Sequence, residues 1–266
     1  MISGRPNMGT WGIPRSLRRQ TRPAHPEPAH SDPDTAESRL EGKLGPGERV
    51  SELQMVEQLG VSRTPVRSAL ARLAEEGLLE AIPTGGYAVR SFSEAEVFAA
   101  VEMRGTLEGL AARLAAERGV GETDLRRLAA CLDGIDDVLR RDGQSVADVP
   151  RYVELNARFH AGLVELAGSR TLARQLERVL VLPFASPSAL VRMQSSSPEA
   201  HRSLVVAQDQ HRCAVEAIER REGGRAEAIL REHARLARRN LERAFADRRM
   251  LDLVPGSALI RRRERA

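Results

Sequence analysis

Apolar positions from Ser51 to Leu59 recur at helical spacing, with Leu53, Val56 and Leu59 on one face. Gly60-Val61-Ser62 breaks that pattern. Ser62 then offers an N-cap hydroxyl, and Pro65 is tolerated in the first turn of a helix that turns Val66, Leu70 and Leu73 inward and stops at Gly77. Leu78–Ala81 and Tyr87–Val89 read as two short strands around the glycine-rich tip Pro83–Gly86. Upstream, a short helical stretch ends near Leu40 and Leu44-Gly45-Pro46-Gly47 makes a turn. Residues 34–91 therefore predict helix, helix, turn, helix and a two-strand wing, a winged helix-turn-helix domain.

From residue 92 to 247 the pattern is helical throughout. Ser93 with Glu96 has the form of a capping box ahead of a long amphipathic helix to about Arg118. Further helices are predicted at 122–141, 148–167, 170–182, 198–221 and 223–247, separated by Gly119, Gly143, Gly168, Pro183 and Gly223-Gly224. No strand is predicted after residue 91, and 248–266 reads as a loose basic tail. The fold class is mainly α: an N-terminal winged helix-turn-helix followed by an all-helical bundle of six or seven helices. Residues 1–33 hold six prolines and little apolar periodicity. They read as a disordered basic arm, or as residues upstream of the natural start.

Composition narrows the function classes. Aromatic residues make up 3% of 266, which argues against a reader of single strands by base stacking. No apolar run is long enough for a membrane helix, so no membrane partner and a cytoplasmic location are expected. Cys131 and Cys213 are too few for a disulfide framework or a thiolate zinc site. The formal net charge is +4, carried almost wholly by arginine, which is compatible with a polyanionic partner.

Two constellations carry the chemistry. At the start of the predicted third helix stand Ser62, Arg63, Thr64 and Arg67. A recognition helix meets the major groove with its N-terminal residues. Arg63 and Arg67, four apart, share a face opposite Leu70 and Leu73. Arginine suits phosphate and the O6/N7 edge of guanine, and the two hydroxyls suit phosphate. In the second constellation Asn156 and His160 are four apart on one helix, with Tyr152 one turn earlier. His211 and His233 each lie eleven residues from Glu222, the centre of the turn between the last two helices. In an antiparallel hairpin both sit roughly 16 Å from that turn, at about 1.5 Å per residue. Three imidazoles at one level suit a divalent transition metal, zinc or nickel, with an amide oxygen as a weaker ligand. Taken singly, each histidine has an ordinary alternative as a hydrogen-bonded core residue.

The segments PGERVSE (46–52), LGVSRTPVRSALARLAEEGLL (59–79) and PTGGYAV (83–89) resemble the winged-helix domain of GntR-type bacterial transcription regulators. That resemblance implies DNA contacts from Ser62, Arg63, Thr64 and Arg67, with Gly86 letting the wing approach the minor groove. Two departures stand out: a short, poorly patterned first helix, and a second helix without a basic residue. MRGTLEGLAARLAAERG (103–119), NARFHAGLVELAG (156–168) and QHRCAVEAIERREGGRAEAILREHA (210–234) resemble the FCD ligand-binding domain of the FadR branch. The resemblance implies a metal held by Asn156, His160, His211 and His233. It places Arg104 where it can face a ligand carboxylate, the alternative being an internal pair with Glu108. Many members have aspartate where this chain has Asn156, so the site loses one negative charge. VEMRGTLEGLAARLAAERG (101–119), YVELNARFH (152–160) and LPFASPSAL (182–190) together are similar to the vanillate-repressor group, which implies an aromatic carboxylate as effector.

The sequence thus points to a homodimeric transcription repressor on a palindromic double-stranded operator, released by a small carboxylic acid. The alternatives are a helical metalloenzyme, which lacks an H-E-x-x-H motif, and a metal sensor.

Overall fold

The computed structural model describes residues 45–140, 148–182, 184–191, 198–254 and 256–261. The predicted helical stretch before Leu40 lies outside them. The chain divides into two compact units, Met1–Glu94 with Pro255–Ala266, and Ala95–Val254.

In the first unit the order is β1 (Arg49–Val50), α1 (Glu52–Leu59), α2 (Arg63–Glu75), β2 (Leu79–Ala81), β3 (Tyr87–Val89) and β4 (Phe92–Ser93). Ser51 caps α1, its hydroxyl accepting from the Gln54 N–H at 3.1 Å. Gly60 closes α1 in the left-handed region, φ 67°, where an L side chain would be strained. Ser62 then occupies the N-cap of α2 without spending its hydroxyl on the helix. The wing has three strands, not two. β1 pairs with β3 antiparallel, Arg49 opposite Ala88, and β3 pairs with β2. A two-residue strand carries no alternation to read, which is why the sequence pattern passes over β1. The inward face of α1 also differs from the sequence expectation. Met55 is buried, while Leu53 is 56% exposed. Val50, Val66, Leu70, Leu79 and Val89 complete this small core.

The C-terminal residues correct another expectation. Arg248–Leu251 is a short helix, here called α9 after the six long helices given below. Ser257–Leu259 is a 3-10 turn, and Ile260–Arg261 forms β5, parallel to β4 with Phe92 opposite Ile260. Phe92 is buried, with the Arg90 guanidinium 4.8 Å from its ring centre. The apolar Leu259 and Ile260 outweigh the local basic composition that suggested a loose tail.

In the second unit the helices are α3 (Glu94–Arg118), α4 (Glu122–Leu139), α5 (Val149–Leu166), α6 (Arg170–Leu180), α7 (Pro198–Glu219), α8 (Gly223–Ala246) and α9. The predicted helices recur with ends shifted by a few residues. One core cluster joins α4, α5 and α7 through Leu128, Leu132, Ile135, Leu155, Phe159 and Leu204. Another is built largely of alanine, with Ala112, Ala115, Ala116, Ala214, Ala217 and Ala226 buried. Small side chains let the helices approach closely. A Cβ on Gly105 would collide with that of Ala234, and one on Gly109 would lie 2.9 Å from the Glu227 carbonyl oxygen. That closeness brings Arg104 and Glu108 of α3 up to His233 of α8. Gly105→Val is expected to destabilise this unit by about 1–3 kcal/mol through overpacking, read as a lower melting temperature. An unchanged Tm would show that α3 and α8 are not pressed together.

Candidate effector site and DNA-contact surface

Every ligand-bearing helix of the predicted constellation contributes to one buried cluster. His160 of α5, His211 of α7 and His233 of α8 are all buried, with donor nitrogens within 4.8 Å of one another. The Nε2 atoms of His211 and His233 are 3.3 Å apart. The equal spacing of these two from Glu222 becomes, in the α7–α8 hairpin, a direct contact.

The far sides of two of these rings are occupied. Nδ1 of His160 lies 2.9 Å from Oε1 of Glu108. Nδ1 of His211 lies 3.3 Å from Oε1 of Gln208. Gln208 has its amide nitrogen committed to the Leu132 carbonyl at 2.9 Å and to Asp136 at 2.7 Å. Its oxygen is thereby left to accept, so His211 carries its proton on Nδ1 and its lone pair on Nε2. An amide group behind an imidazole, as Gln208 stands behind His211, orients the ring and fixes its tautomer. Both ring nitrogens of His160 and Nδ1 of His233 are buried without a hydrogen-bond partner, so the approach of His160 to Glu108 is close but not aligned as a hydrogen bond.

Electrostatics keeps His211 and His233 neutral. Burial, reinforced by neighbouring His160 and Arg104, pushes His233 down to about 3. Burial, then His233, His160 and Arg104, also holds His211 well below the usual histidine range. Burial alone would raise the Glu108 carboxyl, but His160 and Arg104 outweigh it and bring it to about 2. Glu108 is therefore a fully buried carboxylate beside a fully buried guanidinium. Three buried imidazoles with unpartnered nitrogens and an adjacent carboxylate form a donor set that fits a divalent transition metal.

These shifts carry a pH dependence. In the unfolded chain both histidines titrate near 6.5, so below that pH it takes up protons that the folded protein refuses. Stability is full above about pH 6.5 and falls by about 1.4 kcal/mol per pH unit for each such imidazole as pH drops toward the folded values. Glu108 adds a further loss only between about 4.5 and about 2. Urea unfolding of metal-free protein at pH 7.5, 6.5 and 5.5 checks this. Equal midpoints at all three would contradict neutral burial.

Arg104 and Asn156 face the same small cavity as His233. Its walls also include Tyr152, Phe184 and Leu204, and its volume of about 30 Å³ is room for about two waters. Arg104 makes the internal pair with Glu108 while also lining the cavity. Its Nε lies 3.5 Å from Glu108, and its Nη1 donates to the Ala185 carbonyl at 3.0 Å. Asn156 donates from Nδ2 to the Ser188 hydroxyl at 3.1 Å. Phe184, buried on the same segment, has φ 65°, a left-handed conformation costly for an aromatic residue. Gln208 was findable from sequence, three residues before His211 on one helix. Ser188 lies 32 residues from Asn156, and no spacing rule links them.

In the first unit Ser62, Arg63, Thr64 and Arg67 are all exposed at the start of α2. Arg63 makes no ion pair among the described residues. Arg67 does: it is bidentate to Glu52 of α1, at 2.8 and 3.0 Å. The second helix therefore supplies an acid against the recognition helix where a basic residue is lacking. Gly86, at φ 83°, stands at the exposed wing tip, and a Cβ there would come within 3.2 Å of the Val50 carbonyl oxygen.

Comparison with known proteins bears on both units. Residues 99–236 match the FCD domain, and residues 39–89 match the family described as bacterial regulatory proteins, gntR family. The HTH-type transcriptional regulator YdhC of Bacillus subtilis is 31% identical over 138 residues, 52% of this chain and 59% of that protein. The match thus spans less than two thirds of that relative's length. The probable D-xylose utilization operon transcriptional repressor of Paenarthrobacter nicotinovorans is 31% identical over 172 residues, 63% of this chain and 72% of that protein. Among solved structures, Escherichia coli McbR/YncC superposes with a TM-score of 0.55 at 20% identity, covering 77% of this chain and 90% of that one. This last likeness is one of fold. No helix among the described residues is long and apolar enough to cross a membrane.

Proposed function

Because the chain belongs to the GntR family of bacterial regulatory proteins and carries an FCD domain, we propose that it is a sequence-specific transcription repressor released by a small organic acid. The observation that carries this reading is the buried cluster of His160, His211 and His233, whose member His233 shares one cavity with the buried Arg104 and with Asn156. In a regulator with no substrate to turn over, such a buried polar centre is a sensor.

At the DNA end, α2 presents Arg63, Arg67 and the unspent Ser62 hydroxyl to the major groove, while Gly86 lets the wing backbone approach the minor groove. A homodimer sets two such helices on the half-sites of a palindromic operator, one helical turn apart. A bacterial regulator acting on chromosomal DNA would do so in the cytoplasm.

At the sensor end, His160, His211 and His233 would hold a divalent transition metal, with the amide oxygen of Asn156 as a fourth ligand. Such an ion supplies a positive charge and an open position for an acid oxygen. Arg104 offers its guanidinium to the other carboxylate oxygen. Leu204, Leu236 and Phe184 line the cavity and suit an apolar or aromatic acid body. The cavity is far smaller than such an acid. Binding therefore requires Phe184–Leu190 to give way, and Arg104 to exchange the Ala185 carbonyl for the ligand carboxylate. That exchange provides the differential affinity between two states without which an effector shifts nothing.

A helical metalloenzyme is disfavoured by Glu108. It is the one carboxylate in contact with the cluster among the described residues, and it is already engaged by His160 and Arg104. Selection of bound fragments from a random DNA pool tests the DNA reading. Enrichment of one palindromic motif supports it, and recovery of unselected sequence would refute it.

A further inference from the structure

An amide differs from a carboxylate in having a lone pair at one end only. Asn156 can meet a metal through Oδ1 but not through Nδ2, and a rotation of its side-chain amide exchanges the two. Where aspartate would serve in either orientation, asparagine must be told which way to point. We infer that Ser188 gives that instruction: it is the positioning residue that turns the Asn156 amide oxygen toward the histidine cluster.

The hydrogen-bond polarity supports this assignment. The Ser188 hydroxyl oxygen lies 3.1 Å from Asn156 Nδ2 and 3.5 Å from the Val153 carbonyl oxygen. A carbonyl can only accept, so the hydroxyl proton is directed to Val153, long though that contact is. Toward Asn156 the hydroxyl is left as an acceptor. The amide must then present its N–H to Ser188, and Oδ1 is released to the cavity that Asn156 shares with His233. The relay begins and ends on α5, so its register is set by one helix turn.

Ser188 is itself fixed. Its N–H is 3.3 Å from the Ser186 hydroxyl, and the Ala189 N–H donates to the Ser186 carbonyl at 3.1 Å. The Val191 N–H donates to the Ser188 carbonyl at 3.2 Å. The same segment supplies the Ala185 carbonyl to Arg104. One short stretch between α6 and α7 thus sets the orientation of a proposed metal ligand and occupies the proposed carboxylate binder. Gln208 performs the corresponding task for His211, its oxygen fixed by what its nitrogen bonds.

The inference rests on reading the histidine cluster as a metal site. The test is a competition titration with a chromophoric chelator, measuring zinc and nickel affinity of the full-length protein and of Ser188→Ala, Ser188→Thr, Asn156→Asp and the Asn156→Asp/Ser188→Ala pair. Melting temperatures of the metal-free proteins accompany it. Ser188→Ala should weaken metal binding about tenfold, the low end of what orienting groups behind a ligand contribute. Ser188→Thr, which keeps the hydroxyl, should retain affinity. In the Asn156→Asp background the loss of Ser188 should have no effect, because both carboxylate oxygens can serve. Equal weakening in both backgrounds would mean a merely structural role and overturn the assignment. So would full affinity in Ser188→Ala. If the unaltered protein takes up neither metal, or His160→Ala leaves affinity unchanged, the metal reading fails first and this inference with it.

Discussion

Arg63→Ala and Arg67→Ala are each expected to weaken operator binding by about 1–3 kcal/mol if their guanidiniums read base edges. Fold stability should stay unchanged, since both side chains are exposed. The two differ in starting state. Arg63 has no ion pair among the described residues, whereas Arg67 must first leave Glu52. An exposed pair of this kind is worth little, so the exchange for a base or phosphate is nearly free. Glu52→Gln should accordingly leave operator affinity equal or raise it, through loss of a competitor and of an acid near DNA. If either arginine instead neutralises a phosphate, its loss should weaken all sequences alike and reduce the salt slope by about one. Anisotropy titrations with operator and scrambled duplex at two salt concentrations separate these outcomes. Unchanged affinity in both arginine variants would remove α2 as the recognition helix.

The second large effect is expected at the histidines. His160→Ala, His211→Ala and His233→Ala should each lower metal content and abolish acid-induced release, while leaving operator binding in place. Each histidine comes from a different helix, α5, α7 and α8, so a shared ion would cross-link three elements of the bundle. Removing a ligand loosens that cross-link and deletes the effector's anchor together. The first unit has its own core of Val50, Met55, Val66, Leu70 and Leu79, which these substitutions do not touch. Asn156→Asp should act oppositely on the two functions. A charged oxygen strengthens metal binding but lowers the positive charge that draws an anionic acid.

The histidine cluster was legible because helical geometry converts spacing into height. Two residues equidistant from a tight turn meet across a hairpin, and a residue four beyond Asn156 shares its face. The winged helix was legible through punctuation: Gly60, Ser62 and Gly77 mark the ends of α1 and α2 with the conformations their positions need. Tertiary choices were not legible. Leu53 and Met55 are both apolar, and only the packing of α1 decides that Met55 goes inward. The strands β1, β4 and β5 have two residues each, too short for alternation to register. No spacing rule announces the pairing of Arg67 with Glu52, fifteen residues earlier. Arg104 could be read as a ligand binder or as the partner of Glu108, and the structure shows the pair with Glu108 at the wall of a cavity. Ser188 was invisible because its partner is reached through the loop between α6 and α7, not along a helix.

The central claim joins the two units: an acid held at a metal-bearing histidine site controls release from DNA. Its most direct test follows the anisotropy of labelled operator while organic acids, aromatic carboxylates first, are titrated into metal-loaded and chelator-treated protein. The account predicts that both forms bind the operator and that only the metal-loaded form is released by acid. Release of the chelated protein at the same acid concentration would contradict it, showing that Arg104 or another group holds the carboxylate without help from His160, His211 and His233.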